Sequence, residues 1–107
     1  MIKDDDAERA VSYLRDSAEE AGQAKANACY LETWMKIVKS QQMAKSAKKT
    51  QSEKEVDALC SPEFIEATKA HAAAVEQDNT FRFKREAAIA RLDMYRTQQA
   101  NIRGMTR

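Results

Sequence analysis

Apolar side chains recur at spacings of three and four residues through two long stretches, and between them the pattern breaks. In the first, Val11, Leu14, Ala18, Ala21, Ala24, Ala28, Leu31, Met35 and Val38 follow one another as one slowly drifting face, which predicts an amphipathic helix over about 5–47. In the second, Phe64, Ala67, His71, Ala74, Asp78, Phe81, Arg85, Ala88, Leu92, Tyr95, Gln99 and Ile102 alternate three and four apart. That heptad register predicts a helix over about 61–102. The first seam is bulky at its ends and alanine in its middle, with Gly22 beside it, so a partner helix is expected to approach closely there. The second is polar at its centre. Ile65, Ala72, Val75 and Ile89 form a second stripe beside it.

The break is TQSEKEVDALCSPEF, Thr50 to Phe64, which holds the chain's one proline. Thr50 followed three residues later by Glu53 is a capping box and predicts a short helix over about 51–59. Ser61 then caps the next helix, and Pro62 takes the first helical position, where its missing N–H costs nothing. At the other end one of Asp4, Asp5 or Asp6 is expected to cap the first helix. Gly104 is expected to end the last one, leaving frayed residues behind it.

These elements predict an all-α fold: a long antiparallel, coiled-coil-like helical hairpin with a short helix in the connection, forming a single domain over 1–107. At about 1.5 Å per residue the long helices span roughly 65 and 63 Å, so they can run side by side almost end to end. If Ala47 faces Ser61, facing positions sum to 108. Exposed charge pairs support this antiparallel order weakly, with the acidic start beside Arg96 and Arg103 and the lysines at the bend beside Glu63 and Glu66. Leu14, Leu31, Met35, Phe81, Leu92 and Tyr95 are the expected hairpin and oligomer contacts. A two-helix rod with an alanine centre buries little apolar surface against its conformational entropy, so dimerisation into a four-helix bundle is expected.

Composition agrees with long helices: Gly 2 and Pro 1 in 107 residues, with abundant Ala, Glu, Lys, Arg and Gln. The 18 basic and 17 acidic residues nearly cancel, so a nucleic-acid reading rests on local patches. From Lys36 to Lys54 there are six lysines against Glu53 alone, and Arg82, Lys84, Arg85, Arg91 and Arg96 recur on the last helix. Lys45, Lys48, Lys49, Arg82, Lys84 and Arg85 are therefore the candidate contacts to nucleic acid or an acidic partner. The acidic start does not fit a secretory signal, and no apolar run approaches the ~18 residues of a membrane span. A cytoplasmic location follows as the expectation. Cys29 and Cys60 have no ligand spacing and read as reduced, partly buried thiols.

Catalytic chemistry finds no support in the residues. His71 is the sole histidine, and there is no phosphate loop, HExxH, GxSxG or paired ExxH pattern. We expect no catalytic residues, no metal, no cofactor and no small-molecule substrate. Asp78 and Arg85, seven apart on the seam, are read as polar groups that set the register.

The start DDAERAVSYLRDSAEEAGQAKAN and the end FRFKREAAIARLDMYRTQQANIR resemble a group of small, poorly characterised helical phage and prophage proteins encoded among early or recombination genes. The resemblance runs over about residues 5–103 through Tyr13, Leu14, Asp16, Glu19, Glu20 and Ala21, then Arg82, Lys84, Arg85, Ala88, Tyr95, Arg96, Ala100, Asn101 and Arg103. Asp93 stands one place before the group's acid, and Tyr95 replaces its usual Trp. The resemblance implies a non-enzymatic accessory protein of DNA recombination or replication, working through DNA or protein contacts in the host cytoplasm. A stoichiometric inhibitor of a host antiphage defence and a structural oligomerisation module are the alternatives. The partners implied are a second copy, another phage or host protein, and DNA.

Overall fold

The structure, a computed structural model, describes residues 1–105, and among these it contains three α-helices and no strand. They are α1 (Asp4–Lys45), α2 (Gln51–Leu59) and α3 (Pro62–Met105). Two compact units are formed, and α1 and α3 contribute a segment to each. Unit 1 comprises Met1–Gly22 with the chain from Asn79 onward, and unit 2 comprises Gln23–Asp78.

The helix boundaries follow local chemistry. Thr50 Oγ1 accepts the Glu53 N–H at 3.2 Å, and the Ser61 hydroxyl accepts the Phe64 N–H at 3.2 Å while donating to the Ala58 carbonyl at 2.6 Å. Both expected caps are therefore formed. The start of α1 differs from the expectation. Lys3 holds the cap position, its carbonyl accepting from Asp6 and Ala7, and the Asp6 carboxylate reaches back to the Lys3 N–H at 3.2 Å, which is the return half of a capping box. Gly104 lies inside α3 with no left-handed φ. A glycine need not stop a helix when nothing draws it into that conformation. Of the fraying expected after it, residues 106 and 107 lie outside the described residues.

Unit 1 pairs the first half of α1 with the second half of α3 in antiparallel order. The Gln98 side-chain amide clasps Ile2, accepting its N–H at 3.0 Å and donating to its carbonyl at 3.1 Å. The Tyr95 hydroxyl donates to the Asp4 carboxylate. Arg85 Nη1 donates to the Leu14 carbonyl at 2.8 Å and to Ser17 Oγ at 2.7 Å. Facing positions thus sum to about 100, not 108, a slip of about two helical turns. In unit 2, α2 engages the last turns of α1. Lys39 Nζ meets Glu55 at 2.7 Å, and Ser46 Oγ donates to Asp57 at 2.7 Å. The lysines of α1 accordingly do not pair with Glu63 and Glu66, and Arg96 bonds Asp93 of its own helix at 3.4 Å.

The α3 heptad is buried or half-buried at every position from Phe64 to Gln99, and only Ile102 is exposed. The α1 seam is also a strict heptad: Ala7, Ala10, Leu14, Ser17, Ala21, Ala24, Ala28, Leu31, Met35 and Val38. Two expected members are displaced, since Val11 is 50% exposed and Ala18 lies outside, with Ala10 and Ser17 in their places. The strict 3.5-residue repeat places Ala10 and Ser17 on the seam in each case, and the Ser17 hydroxyl accepts from Arg85 there. Gly22 is not part of the seam, as a Cβ added to it would meet nothing within 4 Å.

The core is nearly all alanine: Ala7, Ala10, Ala24, Ala28, Ala67, Ala74 and Ala88 are buried together with Val38, and Ala58 of α2 is 0% exposed, while no large side chain is fully buried among the described residues. All six expected packing residues, Leu14, Leu31, Met35, Phe81, Leu92 and Tyr95, sit half-buried along the seams. Cys29 and Cys60 are free and exposed rather than partly buried. Cys29 stands one position past the seam residue Ala28, and Cys60 caps the end of α2.

Candidate functional site

The six expected contact residues are divided between the two units. Lys45, Lys48 and Lys49 belong to unit 2 and Arg82, Lys84 and Arg85 to unit 1. In unit 2 the three lysines are exposed around the end of α1. Lys48 lines a shallow depression with Glu53, Val56 and Asp57, so acids of α2 offset its charge locally.

In unit 1 the three cations have three fates. Arg85 turns into the seam, where its guanidinium is held by the Leu14 carbonyl and the buried Ser17 hydroxyl. One guanidinium nitrogen is thereby tied to α1, in keeping with the heptad position of Arg85. Its partner is α1, not Asp78, which lies half-buried on the same seam. Arg82 pairs with Glu86 at 4.0 Å and lies over the ring of Phe83, 5.0 Å from its centroid. Lys84 alone opens onto a groove.

That groove, of about 360 Å³, is lined by Arg9, Ala10 and Tyr13 from α1 and by Lys84, Ala87, Ala88 and Arg91 from α3. Lys84 and Arg91 have no ion pair among the described residues. Arg9 bonds Asp6 at 3.5 Å, both side chains being exposed, a contact of little energy. Tyr13 Oη is buried and makes no hydrogen bond among the described residues. Arg9 and Tyr13 were missed from sequence as contacts, and Arg91, one of the basic residues recurring on the last helix, was not singled out, because the grouping depends on register. With facing positions near 100, Arg9 meets Arg91 and Tyr13 meets Ala87, whereas a sum of 108 separates them by two turns.

A second groove of unit 1, about 740 Å³, presents Asp4, Glu8, Val11, Leu92, Tyr95 and Arg96. Its Tyr95 titrates above the ordinary value of 10.0, first because its hydroxyl is bonded to Asp4, then through desolvation and the negative charges of Asp4 and Glu8. The folded state holds this proton more tightly than the unfolded chain. The bond therefore contributes in full below pH about 10 and fades as pH rises through the folded-state value. Ultraviolet titration of tyrosinate should show one late-ionising tyrosine that disappears in Tyr95→Phe. Identical late portions in the two curves would contradict the linkage.

No group of three or more His, Cys, Asp or Glu among the described residues is placed to hold a metal. No helix among them is long and apolar enough to cross a membrane. Comparison with protein-family models, with curated proteins and with solved structures finds no match to this chain.

Proposed function

We propose that this chain is a phage accessory protein of DNA recombination or replication, as its resemblance implies, that acts in the host cytoplasm by holding macromolecular partners, and that it does so as a homodimer. The observation that carries the dimer is surface area. The chain exposes 8001 Å², whereas a compact monomer of 12.1 kDa exposes about 6,000 Å². The surplus of about 2,000 Å² is what one protomer of an obligate homodimer covers.

Unit 2 supplies apolar anchors for such an interface. Tyr30, Trp34 and Ile37 follow at spacings of four and three on α1, and all three are exposed. Trp and Tyr are the residue types that most often dominate association energy. A second copy laid on this stripe makes a four-helix arrangement. Direct nucleic-acid contact is the weaker route, since Arg85 is committed internally and Lys48 lies beside acids.

Sedimentation at micromolar concentration should give a dimer, and Trp34→Ala with Ile37→Ala should weaken it at least about tenfold while circular dichroism retains the helices. A wild-type chain that sediments as a monomer would overturn the dimer.

A further inference from the structure

We infer that the unit 1 groove lined by Arg9, Tyr13, Lys84 and Arg91 is a docking site for an acidic amphipathic helix of a partner protein. This rests on the reading that the chain acts by holding partners, and does not require the dimer.

Four observations converge on that occupant. First, the groove gathers three cations, of which Lys84 and Arg91 are unpaired and Arg9 makes only exposed contacts within its own helix, to Asp6 and to the Asp5 carbonyl. Second, Lys84 and Arg91 are seven residues apart on one helix, a rise of about 10.5 Å. Carboxylates at positions i and i+7 of a partner helix repeat at that same interval, so both pairs close together when the helices lie side by side. Third, the groove wall holds a polar atom that the fold leaves without a partner, Tyr13 Oη. Buried hydroxyls are normally hydrogen-bonded, and a rotation of the Tyr13 side chain as a partner seats would bring this one to an entering carboxylate. Fourth, the groove's other side chains are Ala10, Ala87 and Ala88, which stop at Cβ. They let a third helix approach to the short interaxial distances of about 8 Å that small contact residues permit.

A nucleic-acid strand matches this groove less well. The two segments of unit 1 carry three and seven basic residues against seven and two acidic ones, so the unit has almost no net field to attract a polyanion. The groove also has no aromatic platform for bases beyond Tyr13. Local charge facing local charge over an alanine floor suits a helix, with its mixed apolar and acidic faces.

The test uses the full chain and two labelled alanine-based helical peptides of about 20 residues. One carries Glu at two positions seven apart, and the other carries Lys there. Fluorescence anisotropy should show saturable binding of the Glu peptide. Lys84→Glu with Arg91→Glu should weaken it at least about tenfold and transfer preference to the Lys peptide. Tyr13→Phe should weaken binding several-fold without lowering the thermal midpoint, since it removes a buried hydroxyl that makes no hydrogen bond within the fold. Failure of the Glu peptide to bind, or equal binding of both peptides, overturns the proposal. So does a double reversal whose only effect is lost retention of a single-stranded oligonucleotide, which would reassign the groove to nucleic acid. Sedimentation of the same samples keeps the two proposals apart. A monomer that binds the Glu peptide removes the dimer and keeps the groove, and a dimer that ignores the peptide does the reverse.

Discussion

Arg85→Ala should lower the stability of the folded chain by about 2–3 kcal/mol, the cost of losing charge-assisted hydrogen bonds in a seam that then retains an unanswered polar group. Two bonds from one guanidinium nitrogen, at 2.8 Å to the Leu14 carbonyl and 2.7 Å to Ser17 Oγ, join α1 to α3 in unit 1. Ser17 is 7% exposed, so without Arg85 its hydroxyl has little water to turn to. Arg85→Lys should recover only part of the loss, because a single ammonium on a flexible stem does not reproduce the guanidinium geometry. The double variant Arg85→Met with Ser17→Ala should be less damaging than Arg85→Ala, since both polar partners then leave together. Urea denaturation of the four proteins reads these differences. An Arg85→Ala chain within about 0.5 kcal/mol of wild type would mean that the contact carries no register.

Adding bulk to the alanine seam should be equally damaging. Ala28→Leu and Ala58→Leu each force extra methylenes into positions 7% and 0% exposed, and overpacking of this kind costs about 1–3 kcal/mol. Ala58 has no exposed face through which a larger side chain could escape, so it should show the larger effect. Ala18→Leu is the informative control. The residue is exposed on α1, and the substitution should stay within about 0.5 kcal/mol of wild type. Thermal unfolding followed by circular dichroism compares the three. If Ala18→Leu costs as much as Ala28→Leu, the seam runs through Ala18 and the register described for α1 is wrong.

That control marks the point at which the sequence stopped being sufficient. The all-α class, the three helices and the two caps at Thr50 and Ser61 were legible because each depends on residues within four positions of one another. The α3 heptad was legible for the same reason, its period being internal to one helix. In α1 the apolar side chains of Val11 and Ala18 drew attention from Ala10 and Ser17, although a strict 3.5-residue repeat selects the latter pair and Ser17 answers a cation 68 positions away. Relative register was the least legible quantity. Local signals place the start of α3 but say nothing about how α2 engages the end of α1, nor about which positions of α1 and α3 face each other in unit 1. The basic groove inherits that uncertainty entirely. Arg9 and Tyr13 share a helix face with each other by their spacing, but nothing local joins them to Lys84 and Arg91. Arg85 illustrates the converse, because its place in an arginine- and lysine-rich run suggested an outward cation while its heptad position sent it inward.

An alanine seam also shapes how the fold responds to temperature. Apolar exposure sets the heat-capacity increment of unfolding, which for ordinary domains amounts to about 12–15 cal/mol/K per residue. With no large side chain fully buried among the described residues, the chain's own fold uncovers less apolar surface than that, and its increment should fall below the usual range. Its stability curve is correspondingly shallow, changing little on cooling and losing its margin only gradually on warming, while the sharper temperature response belongs to whatever surface a partner covers.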